Sequence, residues 1–508
     1  MYLGLDIGTT ATKALLVDAR QATVASASVA YEVSAPAAGV SEIDPRAWLE
    51  AVRSAVGQLR REASRELASA RAIGLSGQMH SLVTLDAQRE PARPAILWND
   101  ARGEAESLAL GADVPEIGPL TGILPMPSFT ASKLLWLRQH RREEFERIAH
   151  VLWPKDFVRH WLTGELATDA SDAAGSQLFD QSRRLWADRV LDYLGLDRRQ
   201  LPQLLEGTEI SGRLLPAVAE ELGLPAGIPV AAGGGDSATA ALGLGCVRAG
   251  RGYISLGTGA VFVAAEESYR PTPETLVHAF AHCVPARWYR MAAMLNGASC
   301  LAWVARLCHE PDLEALLGRV EARGRGPGQI LFQPYLRGER TPHNDVSARG
   351  ALIGLDAASD SVDLARAVLE GVAYSLRLAQ DLITSSAEPL TFVGLVGGGA
   401  RSPLWSELIA SVLGRPLAIV ADADYVAALG AARLAMVATG AARLADLASP
   451  RSVVRTVHPD EERAPAYAER FLAFKEVYPA LRPLTRDPSA APLPGSAPAL
   501  FSPNPGPS

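Results

Sequence analysis

Four clusters of residues carry side chains in patterns that could do chemistry. Asp6 closes a short apolar run at residues 2–5 and opens the turn Gly8-Thr9-Thr10. Such a turn offers backbone N–H groups and hydroxyls to an anion, and the carboxylate can hold a divalent cation directly or through water. Lys13, just beyond, could reach a phosphate. An ordinary hairpin with a capping aspartate would look the same, and the absence of any Gly-Lys dipeptide excludes a Walker A loop. The second cluster is a strand at 228–232 running into Gly233-Gly234-Gly235-Asp236-Ser237, with an Ala-rich helix after it. Bare glycines let a ligand approach the backbone, and Asp236 could take a proton from a substrate hydroxyl or N-cap that helix. The third is residues 391–396 followed by Gly397-Gly398-Gly399-Ala400-Arg401-Ser402-Pro403. Gly398, Gly399 and the helix start at Ser402 could accommodate a nucleotide base and sugar. The fourth, Gly77-Gln78-Met79-His80 with Trp98-Asn99-Asp100, suits a polyol. Gln78, His80, Asn99 and Asp100 supply hydrogen bonds; Trp98 or Met79 supplies an apolar plane.

These clusters need strand ends and turns to present them. Residues 2–5, 12–17 and 24–33 read as strands, and Asp44-Pro45 as the N-cap and first residue of a helix carrying Trp48, Val52, Val56 and Leu59 inward. Residues 72–75, 81–85 and 95–98 are strand-like, and 105–225 is helix-rich and irregular. A strand at 253–256, the turn Gly257-Thr258-Gly259 and a returning strand at 260–265 repeat the N-terminal unit about 249 residues later. Self-similarity on that scale points to two related domains, each presenting a Gly-Thr turn; two unrelated hairpins would also give it. Helical patterns recur at 364–378 and 403–413. The domain boundary is expected among the glycines of 243–252, giving domains 1–245 and 246–480. A Pro/Ala/Ser-rich disordered tail, 481–508, follows.

Composition narrows the classes. The 508 residues are 48% hydrophobic and 21% charged with a net charge of −7, which fits a folded chain without a positive field for nucleic acid or an anionic membrane. Cys246, Cys283, Cys300 and Cys308 have neither CxxC nor metal-like spacing and read as buried, reduced thiols. No secretory leader and no long uncharged apolar run is visible, so a cytoplasmic protein is expected.

At these residues the chain resembles the FGGY carbohydrate kinase family over about 1–480. The match includes Gly4-Leu5-Asp6-Ile7-Gly8-Thr9-Thr10, Gly77-Gln78-Met79-His80, Ile96-Leu97-Trp98-Asn99-Asp100, Ser128-Phe129-Thr130-Ala131-Ser132-Lys133 and Pro154-Lys155-Asp156. It continues in Gly233-Gly234-Gly235-Asp236, Ser255-Leu256-Gly257-Thr258, Gly338-Glu339-Arg340-Thr341-Pro342-His343 and Gly397-Gly398-Gly399-Ala400-Arg401-Ser402. The resemblance implies an α/β fold of two actin-like (ribonuclease H-like) ATPase domains around a central cleft. It implies ATP and Mg²⁺, Asp236 as base, and Asp6 with Asp236 as metal-side carboxylates. Gln78, Met79, His80, Trp98, Asn99, Asp100 and Ser237 are expected at the sugar. Gly8, Thr9, Thr10, Lys13, Gly257, Thr258, Gly297, Gly398, Gly399 and Ser402 are expected at the nucleotide. Met79-His80 favours phosphorylation of the 5-hydroxyl of D-xylulose; ribulose, a pentitol or glycerol, and an actin-like ATPase acting on a protein partner, are the alternatives. A homodimer is compatible with the family. Ser81, Ser237 and Gly259-Ala260 stand where relatives often have Gly, Asn and Ser-Gly.

Overall fold

The computed structural model describes residues 1–37, 39–324, 326–384, 388–447 and 453–485. Strand β1 (Tyr2–Ile7) is buried at every position, as an unbroken apolar run in mid-sheet should be. It pairs antiparallel with β2 (Ala11–Val17), which pairs with β3 (Thr23–Ala30). On its other side it runs parallel to β4 (Ala72–Gly77), with Asp6 opposite Ser76. Beyond β4 lie β5 (Ile210–Arg213), β6 (Pro229–Ala231) and the two-residue β7 (Gly234–Gly235), in the order β5-β6-β4-β1-β2-β3, with β7 also on β4. Helix α1 (Arg46–Glu62) covers one face through Trp48, Val52, Val56 and Leu59; it starts one residue later than expected, with Pro45 at the N-cap, and Asp44 accepts the Arg46 amide at 3.0 Å.

The same plan recurs. Strand β8 (Arg251–Leu256) pairs antiparallel with β9 (Ala260–Glu266), and β9 with β11 (Trp288–Met294), which also carries β10 (His278–Ala281). On its other side β8 runs parallel to β12 (Phe392–Val396), followed by β13 (Leu417–Val420) and β14 (Val453–Val457). Thus β8, β9, β11 and β12 repeat the pairing of β1, β2, β3 and β4, so the two Gly-Thr turns are equivalent positions in two related sheets. Helix α7 (Pro403–Leu413) begins as expected, with Ser402 capping Trp405 N at 3.3 Å and Gly414 in the left-handed conformation (φ +65°) at its end.

One helix crosses between the sheets, and the tail boundary moves. Helix α8 (Val426–Ala438) follows the second sheet in sequence yet packs on the first, against β1, β4 and α5 (Asp236–Gly243). The contact is backbone to backbone: a Cβ on Gly4 would lie 1.9 Å from Ala428 O, and one on Gly74 1.8 Å from Ala431 O. The sequence boundary near 245 divides the sheets but not the helices that join them. At the C-terminus, α9 (Ala464–Thr485) continues through 481–485, which the composition had assigned to the tail, because its apolar residues dock on the second core. The remainder of the expected tail, 486–508, lies outside the described residues. Strands expected at 81–85 and 95–98 shorten to Val83–Leu85 and Ala95–Ile96. Cys246, Cys283 and Cys300 are buried free thiols and Cys308 is partly exposed. No described helix is long and apolar enough to cross a membrane.

Candidate active site

Asp6 and Asp236 emerge from the same end of the first sheet, separated by β4, so that two strand spacings, about 10 Å, divide their backbones. Hydroxyls fill the gap. Ser76 Oγ donates to Asp6 Oδ1 at 2.8 Å and lies 2.8 Å from Thr239 Oγ1, which sits 3.0 Å from the Asp236 carbonyl. Asp236 is the first residue of α5 and not its N-cap; Gly235 holds that position. Ser237 N donates to Asp236 Oδ1 at 2.7 Å and Ser237 Oγ lies 3.3 Å from the same oxygen. Although Asp236 keeps some surface open to solvent, burial and then the Asp6 charge push its carboxyl up to about 7. Burial also raises Asp6, opposed by Ser76 and Lys13. Two repelling carboxylates with free oxygens form a hard, all-oxygen donor set, which fits Mg²⁺ when phosphates and water complete the shell.

The peptide segment that carries Asp236 is clamped from behind by charged groups on α3 (Pro154–Thr163). Lys155 Nζ lies 2.5, 2.9 and 3.2 Å from Asp156, Asp169 and Asp172, all fully buried. Arg159 reaches Asp156 at 2.9 Å and donates to Ala231 O and Ala232 O at 3.1 and 2.5 Å. Asp169 accepts from Ser171 Oγ at 2.5 Å, and that oxygen accepts the Gly235 amide at 3.0 Å. Three carboxylates face two cations, and burial pushes Asp172 well above the usual carboxylate range, so one proton balances the cluster. Pro154-Lys155-Asp156 therefore belongs to the clamp that fixes the segment leading to Asp236.

The glycine turns of both domains leave donors unused. Among the described residues the amides of Thr9, Thr10, Gly257, Thr258, Gly398 and Gly399 donate to no protein acceptor. Gly257 and Thr258 instead give their carbonyls to the amides of Ala298 (2.7 Å) and Gly297 (3.0 Å), which turns their N–H groups outward. A Cβ on Gly398 would meet nothing within 4 Å, whereas one on Gly399 would strike Leu256 at 2.4 Å. Gly398 is thus the open floor and Gly399 a packing position. Lys13, expected at a phosphate, donates to Asp424 O at 2.6 Å, and Arg401 pairs with Asp424 at 2.7 Å.

The polyol residues divide. Gln78 donates to Gly8 O at 2.9 Å and Trp98 Nε1 to Thr9 Oγ1 at 2.8 Å, so both brace the first turn. Asn99 is exposed. Asp100, expected to bind polyol, corrects that expectation: its oxygens take Ser41 N at 2.7 Å and the Arg102 guanidinium at 2.7–2.8 Å, because a buried carboxylate needs a partner in the strap it anchors. Met79 touches the segment just before Asp236, since a Cβ on Gly235 would lie 2.7 Å from Met79 Cγ. His80 faces Gly175 O at 2.5 Å through Nδ1, and burial lowers its pKa to about 3. It is a neutral ring with Nδ1 protonated and Nε2 an acceptor. The wall around it, missed in the sequence, comes from both halves: Phe129 at 4.5 Å, Phe280 at 6.1 Å and His278 at 6.4 Å between ring centroids. Strand alternation in β10 puts His278 and Phe280 on one face, a signal that could have paired them; nothing in sequence placed them opposite His80.

Comparison with known proteins settles the family. Residues 1–243 match the FGGY family of carbohydrate kinases, N-terminal domain, and residues 252–439 its C-terminal domain. The chain belongs to the FGGY family of carbohydrate kinases. This sugar kinase is 42% identical to the xylulose kinase of Escherichia coli (strain K12) over 95% of its own length and 100% of that protein. It is 40% identical to the xylulose kinase of Klebsiella pneumoniae over the same shares. A crystal structure described as a xyloylose kinase from Brucella ovis superimposes with a TM-score of 0.91 at 42% identity, covering 95% of this chain and 99% of that one. The kinase therefore has the two-domain actin-like fold that the resemblance implied.

Proposed function

We propose that this kinase transfers the γ-phosphoryl group of ATP to the 5-hydroxyl of D-xylulose. The supporting observation is the Asp236 carboxyl, raised to about 7 by burial and the Asp6 charge, in a fold whose two Gly-Thr turns keep unpartnered amides. The similarity to xylulose kinases supports the choice of ketose. The substrate oxygen attacks the γ-phosphorus while Asp236 accepts its proton; the new O5–P bond forms as the bond to the β-phosphate oxygen breaks, releasing ADP. A carboxylate poised near neutral pH suits this role, because it is ionised often enough to accept the proton and basic enough to hold it. Asp6, assisted by Ser76, and Asp236 would hold Mg²⁺, which when bound neutralises charge on the phosphate oxygens. The amides of Thr9, Thr10, Gly257 and Thr258 donate to the phosphates, and the floor at Gly398 takes the base and ribose. Apolar packing of Met79 and the aromatic wall around His80 excludes water, which would otherwise accept the phosphoryl group.

Coupled ADP release over a panel of D-xylulose, D-ribulose, pentitols and glycerol, with and without Mg²⁺, tests the reading. Mg²⁺-dependent turnover fastest with D-xylulose supports it. Faster turnover with another sugar, or sugar-independent hydrolysis, refutes it.

A further inference from the structure

Two polar side chains of the second domain stand at the sugar-side wall with no side-chain hydrogen bond to protein among the described residues. His278 is fully enclosed, and neither ring nitrogen meets a hydrogen-bonding atom among the described residues. Its ring lies 5.9 Å from Phe129 and 5.1 Å from Phe280 between centroids, on the wall that holds His80.

Arg340 is the second. Its backbone is stitched to the same strands: Thr341 N donates to Ala293 O at 3.1 Å, and Thr341 Oγ1 to Leu276 O at 3.0 Å, two residues before His278. The adjacent Glu339 offsets part of its charge but takes no hydrogen bond from the guanidinium. That carboxylate is taken by the amides of Leu295 (2.7 Å) and Arg340 (2.8 Å) and by Asn296 Nδ2 (3.2 Å). Among the described residues the Arg340 guanidinium donates no hydrogen bond, though it is only partly exposed. Its charge nonetheless reaches His80, His278 and Lys133, lowering the pKa of each after burial has done most of that work. A guanidinium largely withdrawn from water, with no hydrogen bond to protein, suits a ligand rich in oxygen acceptors.

We propose that Arg340 and His278 form the second domain's half of the sugar site and hold the C1–C2 end of the ketose. This rests on the function proposed above. With the 5-hydroxyl at Asp236, the sugar chain passes Met79, which touches Gly235, and ends beside His80 and the wall opposite it. The guanidinium, donor only, matches the C2 carbonyl; a neutral imidazole, one donor and one acceptor, matches the C1 hydroxyl. Reading the far end of the substrate from the second domain couples ketose recognition to closure of the cleft.

Steady-state ADP release with D-xylulose and with its 1-deoxy analogue, for wild type, Arg340→Gln, Arg340→Lys and His278→Gln, tests this. Losing a hydrogen bond from a charged group lowers kcat/KM for D-xylulose about 10- to 100-fold in Arg340→Gln. The loss is expected in the sugar KM, with the ATP KM changed less than about twofold and partial recovery in Arg340→Lys. His278→Gln is expected to shrink the wild-type penalty for the missing 1-hydroxyl. A sugar KM within about twofold of wild type in both Arg340 variants, or a rise in the ATP KM instead, overturns the assignment; so does an unchanged 1-deoxy penalty in His278→Gln. If Arg340→Gln does not fold, Arg340→Lys, which keeps the charge, decides on the same readouts. Wild-type enzyme that ignores D-xylulose but phosphorylates another sugar overturns the substrate reading alone, and the same comparison on that sugar still judges Arg340.

Discussion

Asp236→Asn separates catalysis from stability in opposite directions. The wild-type carboxyl ionises near pH 7, so about one-tenth of the enzyme carries an ionised base at pH 6, one-half at pH 7 and nine-tenths at pH 8. The kcat/KM for sugar should rise about tenfold across that span. The Asn variant removes the proton acceptor and should lose a factor of about 10² to 10⁴ in turnover, with the sugar KM little changed and the limb near pH 7 abolished. Stability should move the other way. An aspartate whose folded pKa exceeds its unfolded value of 3.8 is fully tolerated below pH 4, and its ionisation then destabilises the fold progressively up to pH 7. About three units at 1.36 kcal/mol each bound the effect at roughly 4 kcal/mol, reduced by the solvent access of the side chain. Urea unfolding of both proteins at pH 4 and pH 8 should show them alike at pH 4 and the variant more stable at pH 8. A variant that keeps more than about one-tenth of wild-type turnover, keeps the limb, or is less stable at pH 8 refutes the reasoning.

Other consequences are as open to measurement. Lys155→Met leaves three buried carboxylates facing Arg159 alone and should lower unfolding free energy by about 3–5 kcal/mol in denaturant titrations, with refolded protein slower in turnover because the Gly235 clamp is loosened. Gly398→Val enters open space, so the Tm should hold while the KM for ATP rises severalfold; an unchanged KM would remove Gly398 from the nucleotide floor. Gly74→Ala drives a methyl into Ala431 O and should cost about 1–3 kcal/mol or more, seen as a lowered Tm by scanning calorimetry.

Local sequence was sufficient wherever a neighbour in the chain sets the geometry. The strand-turn-strand units at Gly8-Thr9 and Gly257-Thr258, the cap at Ser402-Pro403 and the stripe Trp48, Val52, Val56, Leu59 were legible because turn chemistry and helical periodicity are short-range. Asp6 and Asp236 stood out as candidates because each follows an apolar strand at a glycine-rich turn, although a structural cap reads the same way in sequence. The duplicated strand-turn-strand unit was thus written in the primary structure. Which polar groups remain free was not. Asp100 and Gln78 resemble His80 on paper, yet Arg102, Ser41 and Gly8, brought in by folding, satisfy the first two. Conversely Arg340, one of 45 arginines, and His278 stand out only because the assembled sheets deny them partners. Residues 426–438 read as part of the second domain and lie on the first sheet, since glycines at 4 and 74 let the backbones touch. Hydrogen-bond satisfaction and close packing depend on atoms distant in the chain, so they exist only once the tertiary structure has brought those atoms together.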